Sequence, residues 1–351
     1  MLQLVLKDEF GKNSMVGFRS NDCGPLKGIR VLDLSRLIAG NMLSLQLADF
    51  GCDVIKIEPK QSGDPLRAWT ECGVSSFWKV YCRNKRSLTL NFRDSRSKDV
   101  LLALAATSDV LIESFRPGRI EEMGFGPDKL HEQNSKLVIV RISGFGQTGP
   151  YRDRPGFGTL VEAMSGFASR NGFSDKPPLL PPIALADMVA GLQGAYATMV
   201  ALREVELNKK KGQVIDLSLF EPMLSILGPE ALSYSLNKEG KKRLGNRSNT
   251  SAPRDIYQTK DGKFVAVSAS IQAMAERVFN VIGKPELITD YRFKTNADRV
   301  KNSDLINDIL GSWIGDRDCD DVLKIFEDSD VTASPVYDIS GILEDGHVRE
   351  R

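Results

Sequence analysis

The chain has 351 residues, 41% of them hydrophobic and 26% charged, ordinary globular values with length enough for two domains. Forty-seven basic against 46 acidic residues leave a formal net charge of +1, which gives no electrostatic case for nucleic acid or an anionic membrane as partner. The two histidines, His131 and His347, exclude a multi-histidine metal centre and leave a Ser-His-Asp triad little to work with, so chemistry is expected from carboxylates, hydroxyls or backbone donors and no metal is expected.

Residues 1–25 read as a loosely ordered leader, whose acidic residues spoil a transit-peptide pattern. Residues 28–59 then read as a βαβ unit. Ile29 to Ser35 is a strand, Leu37 to Phe50 has helical spacing, Gly51 stops the helix and Val54 to Ile57 returns as a strand. A second unit follows: Ser87 to Phe92 alternates as a strand, Asp94 caps a helix over 97–107, and Val110 to Glu113 and Leu137 to Ile142 are further strands. Strands alternating with helices predict a mostly parallel, Rossmann-type sheet. After Pro150 come a Gly- and Pro-rich segment, helices around 159–170 and 187–206, and a strand-helix unit from Val214 to Leu227. The polar stretch 237–251 reads as a linker. A smaller α/β region follows, with a strand at Lys263 to Ser268, helices near 271–283, 302–314 and 320–328, and a last strand at Pro335 to Tyr337. No apolar run approaches the roughly 18 residues of a membrane span, so no membrane partner is expected.

The five cysteines, Cys23, Cys52, Cys72, Cys82 and Cys319, are odd in number and never spaced as CxxC, which predicts a reducing compartment without a disulfide framework. The cytoplasm is the expected location, with mitochondrion or peroxisome as alternatives for a eukaryotic chain. Gly144 to Gly149 formally matches GxGxxG after a strand, but Pro150 follows where a dinucleotide site opens a helix; a Gly-rich turn is the better reading. Ligands of open α/β sheets bind beyond the carboxyl ends of strands. Two clusters stand at such places: Arg83, Asn84, Lys85 and Arg86 before one strand, and Ser114, Phe115 and Arg116 after another. Together they suit the phosphates and adenine of a nucleotide-like ligand, although the first cluster taken alone reads better as a solvated charge run. Asp187 follows an extended Pro-rich approach, 177–186, and opens a small-residue helix. A carboxylate at a helix N-terminus is favoured in its ionised form, which suits a cap and a nucleophile alike.

The chain resembles the class III CoA-transferase (CaiB/BaiF) family, which also includes α-methylacyl-CoA racemases. The resemblance runs from about Leu26 to the C-terminus through LKGIRVLDLSRLIAGN, LADFGCDVIKIEP, SGDPLRAW, RNKRSLTLNF, ESFRPG, RISGFGQTGPYRDRPGFG, ALADMVAGLQGAY and KGQVIDLSLFE. It implies a Rossmann-like large domain over 26–236, a linker over 237–251, a small α/β domain over 252–351, and an interlocked homodimer. It implies Asp187 as a nucleophile exchanging CoA between an acyl-CoA and a carboxylic acid through an aspartyl-CoA thioester, with no permanently bound cofactor. Coenzyme A, as substrate, would then be held by Arg83 to Arg86, Ser114 to Arg116 and the turn Gly156, Phe157 and Gly158.

The family's racemases carry a His and an Asp in a block shaped like GHDINYLALSG, where this chain has Phe157 and Gly158. Neither residue shuttles a proton, so transfer is preferred to racemization. Ile38 and the Gly158-Thr159 pair depart from the formyl-CoA transferases, Asn41 stands where most members have Pro, and Pro59 where many have Arg. The nearest pattern is the dicarboxylate branch that uses succinyl-CoA. Past Gly346 and His347 the family's return segment is read as lacking, which keeps a non-catalytic CoA-binding short form as a further alternative.

Overall fold

Six parallel strands make the main sheet: β1 (Arg30–Asp33), β2 (Asp53–Glu58), β3 (Lys85–Thr89), β4 (Val110–Glu113), β5 (Val138–Ser143) and β6 (Val214–Ser218), in the order β3-β2-β1-β4-β5-β6. The computed structural model describes residues 24–351; all but the last two residues of the expected leader lie outside them. The sheet is doubly wound, and its winding reverses between β1 and β4, where such sheets open a crevice. The central strands alternate their apolar residues between two buried faces. Val31, Val54, Val110 and Val138 face one core, and Leu32, Ile55, Leu111 and Ile139 face the other.

Helices cover both faces. They are α1 (Ala39–Asp49), α2 (Ser76–Tyr81), α3 (Ser95–Ala106), α4 (Arg119–Glu122), α5 (Pro127–Gln133), α6 (Gly158–Met164), α7 (Phe167–Arg170), α8 (Leu185–Asn208), α9 (Phe220–Ser225) and α10 (Glu230–Asn237). Leu101 and Ala105 of α3 and Leu130 of α5 pack on the second face, while Leu43 and Leu47 of α1 and Ala186, Ala190 and Leu202 of α8 pack on the first. By length and composition alone α8, 24 residues long, could cross a membrane, since an 18-residue window of it reaches a mean hydropathy of 1.3. Its packing marks it as a core helix. A Cβ on Gly194 would lie 2.6 Å from Leu43 Cδ1 and 2.5 Å from Leu217 Cδ2, and one on Gly191 would lie 2.7 Å from Met42 Cβ. Small residues at these positions let α1 and α8 approach closely.

Among the described residues the chain divides into two compact units, one holding 24–171 and 178–242, the other 172–177 and 243–351. The second unit has an antiparallel sheet, β7 (Arg254–Gln258), β8 (Phe264–Ser268) and β9 (Ala333–Pro335), in the order β7-β8-β9. Its helices are α11 (Gln272–Val281), α12 (Asn296–Lys301), α13 (Ser303–Gly315), α14 (Cys319–Asp328), α15 (Ile339–Glu344) and α16 (Gly346–Glu350). Tyr257, Val265, Val267, Phe279, Phe293, Leu310 and Phe326 form its core. The sequence reading placed three helices here, and α12, α15 and α16 have no counterpart in it. β7 has no counterpart there because RDIYQ mixes charge into its alternation, and the last strand lies at 333–335, where Ala333 and Pro335 register with Val267 and Val265.

Candidate active site

The turn from β1 to α1 is built on buried charge. Asp33 ends β1 fully buried. Its carboxylate accepts the Ser35 N–H at 2.9 Å and the Ser35 and Ser44 hydroxyls at 2.5 Å each, with Lys56 Nζ at 3.2 Å and Lys85 Nζ at 3.4 Å. Burial alone would raise this carboxyl, but the Lys56 and Lys85 ammoniums and the two hydroxyls outweigh it and hold it below the ordinary value. Lys56 reaches on to Asp64 at 3.2 Å and to the Ser35 carbonyl. Asp64 accepts the Leu37 N–H at 3.2 Å and the Asn41 side-chain amide at 2.9 Å, and that amide also reaches the Leu37 carbonyl at 2.6 Å. Leu37 has φ 62°, the left-handed region that a side chain disfavours. Its N–H and its carbonyl are both tied down, so the turn presents the N-terminus of α1 in one fixed direction.

Asp187 meets that N-terminus. It is the third residue of α8, whose cap position is Ala184 and has no side-chain cap; the carboxylate thus lies within the first turn instead of at the cap. The N–H of Ala39, the first residue of α1, and its own N–H act on its side chain to favour the ionised form. Two helix N-termini therefore face one half-buried carboxylate, a setting that favours negative charge. Against them work burial, then the charge of Glu162, and the carboxyl is pushed up to about 6. Glu162, on α6, is 2% exposed and accepts the Ala186 N–H at 3.0 Å. Gly158, the first residue of α6, lies so close that a Cβ there would stand 2.3 Å from Asp187 Oδ2.

This arrangement lies at the reversal point of the sheet. The loops after β1 and β4 are joined there by the Arg36 N–H donating to Ser114 Oγ at 3.0 Å. Phe115 is half-buried and Arg116 is exposed. Neither Arg36 nor Arg116 has an ion pair among the described residues.

The basic run is not gathered into one face. Arg83 pairs with Asp49 at 2.5 Å, Asn84 donates to the same carboxylate at 2.8 Å, and Arg86 pairs with Asp53. Lys85 is 1% exposed in its side chain and turns inward to Asp33 and Asn41. Of the four residues expected to help hold CoA, Asn84 and Arg86 are exposed, while Lys85 faces the interior. Gly156 is pressed against the backbone of Gly144, since a Cβ on it would lie 2.7 Å from Gly144 Cα. Phe157 is 62% exposed at the start of α6. In the 144–149 turn the Gly146 N–H goes to Ser143 Oγ and the Gln147 N–H to Asp216, so those two donors have partners within the protein. Sequence reasoning passed over Glu162, Ala39 and Arg36. The first two acquire their role only when α6, α1 and α8 meet; Arg36 had a usable signal, a cation in the first βα turn.

Fold and site together define a doubly wound α/β protein with a half-buried carboxylate at the sheet's reversal point. The model of CoA-transferase family III matches residues 26–351, and the chain belongs to that family, the CaiB/BaiF CoA-transferases. It is 36% identical over 326 residues to the succinyl-CoA–D-citramalate CoA-transferase of Chloroflexus aurantiacus, covering 92% of this chain and 81% of that protein. To the succinyl-CoA:glutarate CoA-transferase of Mus musculus it is 31% identical, covering 96% of this chain and 78% of that one. The crystal structure of a CAIB/BAIF family protein from Brucella suis superposes with a TM-score of 0.83 at 30% identity, over 94% of this chain and 88% of that one.

Proposed function

We propose that this CoA-transferase moves CoA from a dicarboxylyl thioester of the succinyl-CoA type to a carboxylic acid acceptor, with Asp187 as nucleophile. The observation that carries the reading is the Asp187 carboxylate held against the Ala39 N–H at the reversal point of the sheet. With its carboxyl at about 6, it is ionised at neutral pH and more basic than an ordinary aspartate, as a nucleophile should be. An Asp187 oxygen attacks the thioester carbonyl; a C–O bond forms, the C–S bond breaks and CoA leaves as thiolate. The thiolate attacks the aspartyl carbonyl of the mixed anhydride, which releases the donor acid and leaves aspartyl-CoA. The acceptor carboxylate runs the two steps in reverse.

Arg116 and Arg36, exposed on joined loops, supply cations for the CoA phosphates, and Phe115 an apolar edge. The relatives named above pair succinyl-CoA with citramalate or glutarate, both dicarboxylates, which supports a dicarboxylate acceptor. A homodimer is part of the same reading. Leu192, Tyr196 and Val200, spaced by four along α8, are 49%, 73% and 54% exposed, an apolar stripe suited to a second copy of the chain. Asp187→Ala should abolish exchange of label between succinate and succinyl-CoA while leaving CoA binding intact. Hydroxylamine trapping after succinyl-CoA should mark Asp187 by peptide mass spectrometry in the native protein. Exchange retained in the variant refutes the mechanism.

A further inference from the structure

Gly158 and Glu162 stand four residues apart, on one face of α6, and both meet the first turn of α8. A Cβ on Gly158 would lie 2.3 Å from Asp187 Oδ2 and 3.4 Å from its Cγ, and the backbone of Gly158 does not lie in the left-handed region. The missing side chain therefore serves the carboxylate and not the path of the chain. Glu162 lends α8 the cap it lacks, through the Ala186 N–H next to the nucleophile. Resting on the reading of Asp187 as nucleophile, we propose that α6 is its seat. Gly158 and Glu162 are positioning residues that fix the carboxylate on the Ala39 N–H. The buried Glu162 charge also disfavours ionised Asp187, a repulsion that acylation relieves because it neutralises the aspartate. The elevation of the Asp187 carboxyl agrees: burial contributes first and Glu162 second, while the Ala39 N–H on α1 and its own N–H on α8 oppose them. Among the described residues Glu162 is the one charged side chain acting on it.

Glu162→Gln keeps an oxygen for the Ala186 N–H and removes the charge. Carbodiimide labels a protonated carboxyl, so labelling of Asp187, read by peptide mass spectrometry, should fall through about 6 in the native protein. In Glu162→Gln it should fall at lower pH, toward the ordinary 3.8, and the acid limb of kcat/KM for succinyl-CoA exchange should move the same way. Gly158→Ala should fold, because the aspartate can rotate aside. It should lose about 100-fold in kcat, the scale of an ångström-sized displacement of a reacting group. An unmoved labelling curve in Glu162→Gln, or kcat within twofold of native in a folded Gly158→Ala, overturns the seat; if Gly158→Ala does not fold, the labelling curve decides. Should Asp187→Ala abolish exchange while both α6 variants behave as native, only the seat fails. Exchange retained in Asp187→Ala overturns seat and nucleophile together.

Discussion

Lys85→Met separates the two roles open to the basic run. In the structure the Lys85 ammonium touches no solvent-facing partner: it lies 3.4 Å from Asp33 Oδ2, 2.9 Å from the Asn41 carbonyl and 3.1 Å from Asn41 Oδ1. Burial lowers its own proton affinity, so it gains little from being where it is except through Asp33. Removing one member of a buried ion pair costs about 3–5 kcal/mol, because the partner charge is left uncompensated. Asp33 keeps Lys56 at 3.2 Å, which places the loss near the lower end, about 3 kcal/mol. For a unit of about 150–250 residues that is roughly 6–12 °C in melting temperature. Calorimetric melting and isothermal titration with CoA are the two assays. Lys85→Met should melt lower and bind CoA within about twofold of native; Arg116→Ala should melt as native and bind CoA at least tenfold more weakly, as expected for an exposed cation that pairs with phosphate. A Lys85→Met protein with native melting and weakened CoA affinity would refute the internal role.

Acid sensitivity follows from Glu58. Burial would raise its carboxyl, but Arg67, binding both oxygens at 2.8 Å, the Ser87 hydroxyl and the Asp64 N–H hold it at about 2. A lowered carboxyl contributes stability that is complete above its ordinary 4.5 and is lost as pH falls toward 2. Arg67→Met should therefore shift acid unfolding, followed by far-ultraviolet circular dichroism, to higher pH; superimposable curves would count against it. Replacing Leu192 and Tyr196 together by Asp puts two charges on the exposed stripe of α8. On the homodimer proposed above, the native chain should sediment as a dimer and the variant as a monomer, and an unchanged sedimentation coefficient would remove that stripe from the interface.

The main sheet was legible because its strands are short apolar runs between helices of ordinary spacing, and such runs keep their meaning wherever the chain goes. The place of Asp187 at the start of a helix was legible for a similar reason, since a Pro-rich approach and a small-residue helix bracket it within a dozen positions. Lys85 was not. It stands in a run that looks solvated, and the carboxylate that draws it inward is 52 residues upstream. Glu162 is one acid in an apolar helical pattern, and its partner, the Ala186 N–H, is 24 residues away. Gly158 was read as part of a turn holding coenzyme A, and only the return of α8 onto α6 turns its bare Cα into space for a carboxylate. What was hidden has one physical character: each case breaks a local rule that a distant group repairs. A lysine is buried, two acids stand beside each other, and Leu37 is held at φ 62° by Asp64 and Asn41. Such departures from local consistency concentrate where a fold stores function, and here they converge on the N-terminus of α1 and the carboxylate it holds. A variant that restores local propriety, a side chain at 158 or an apolar residue at 162, should therefore cost more in turnover than in stability.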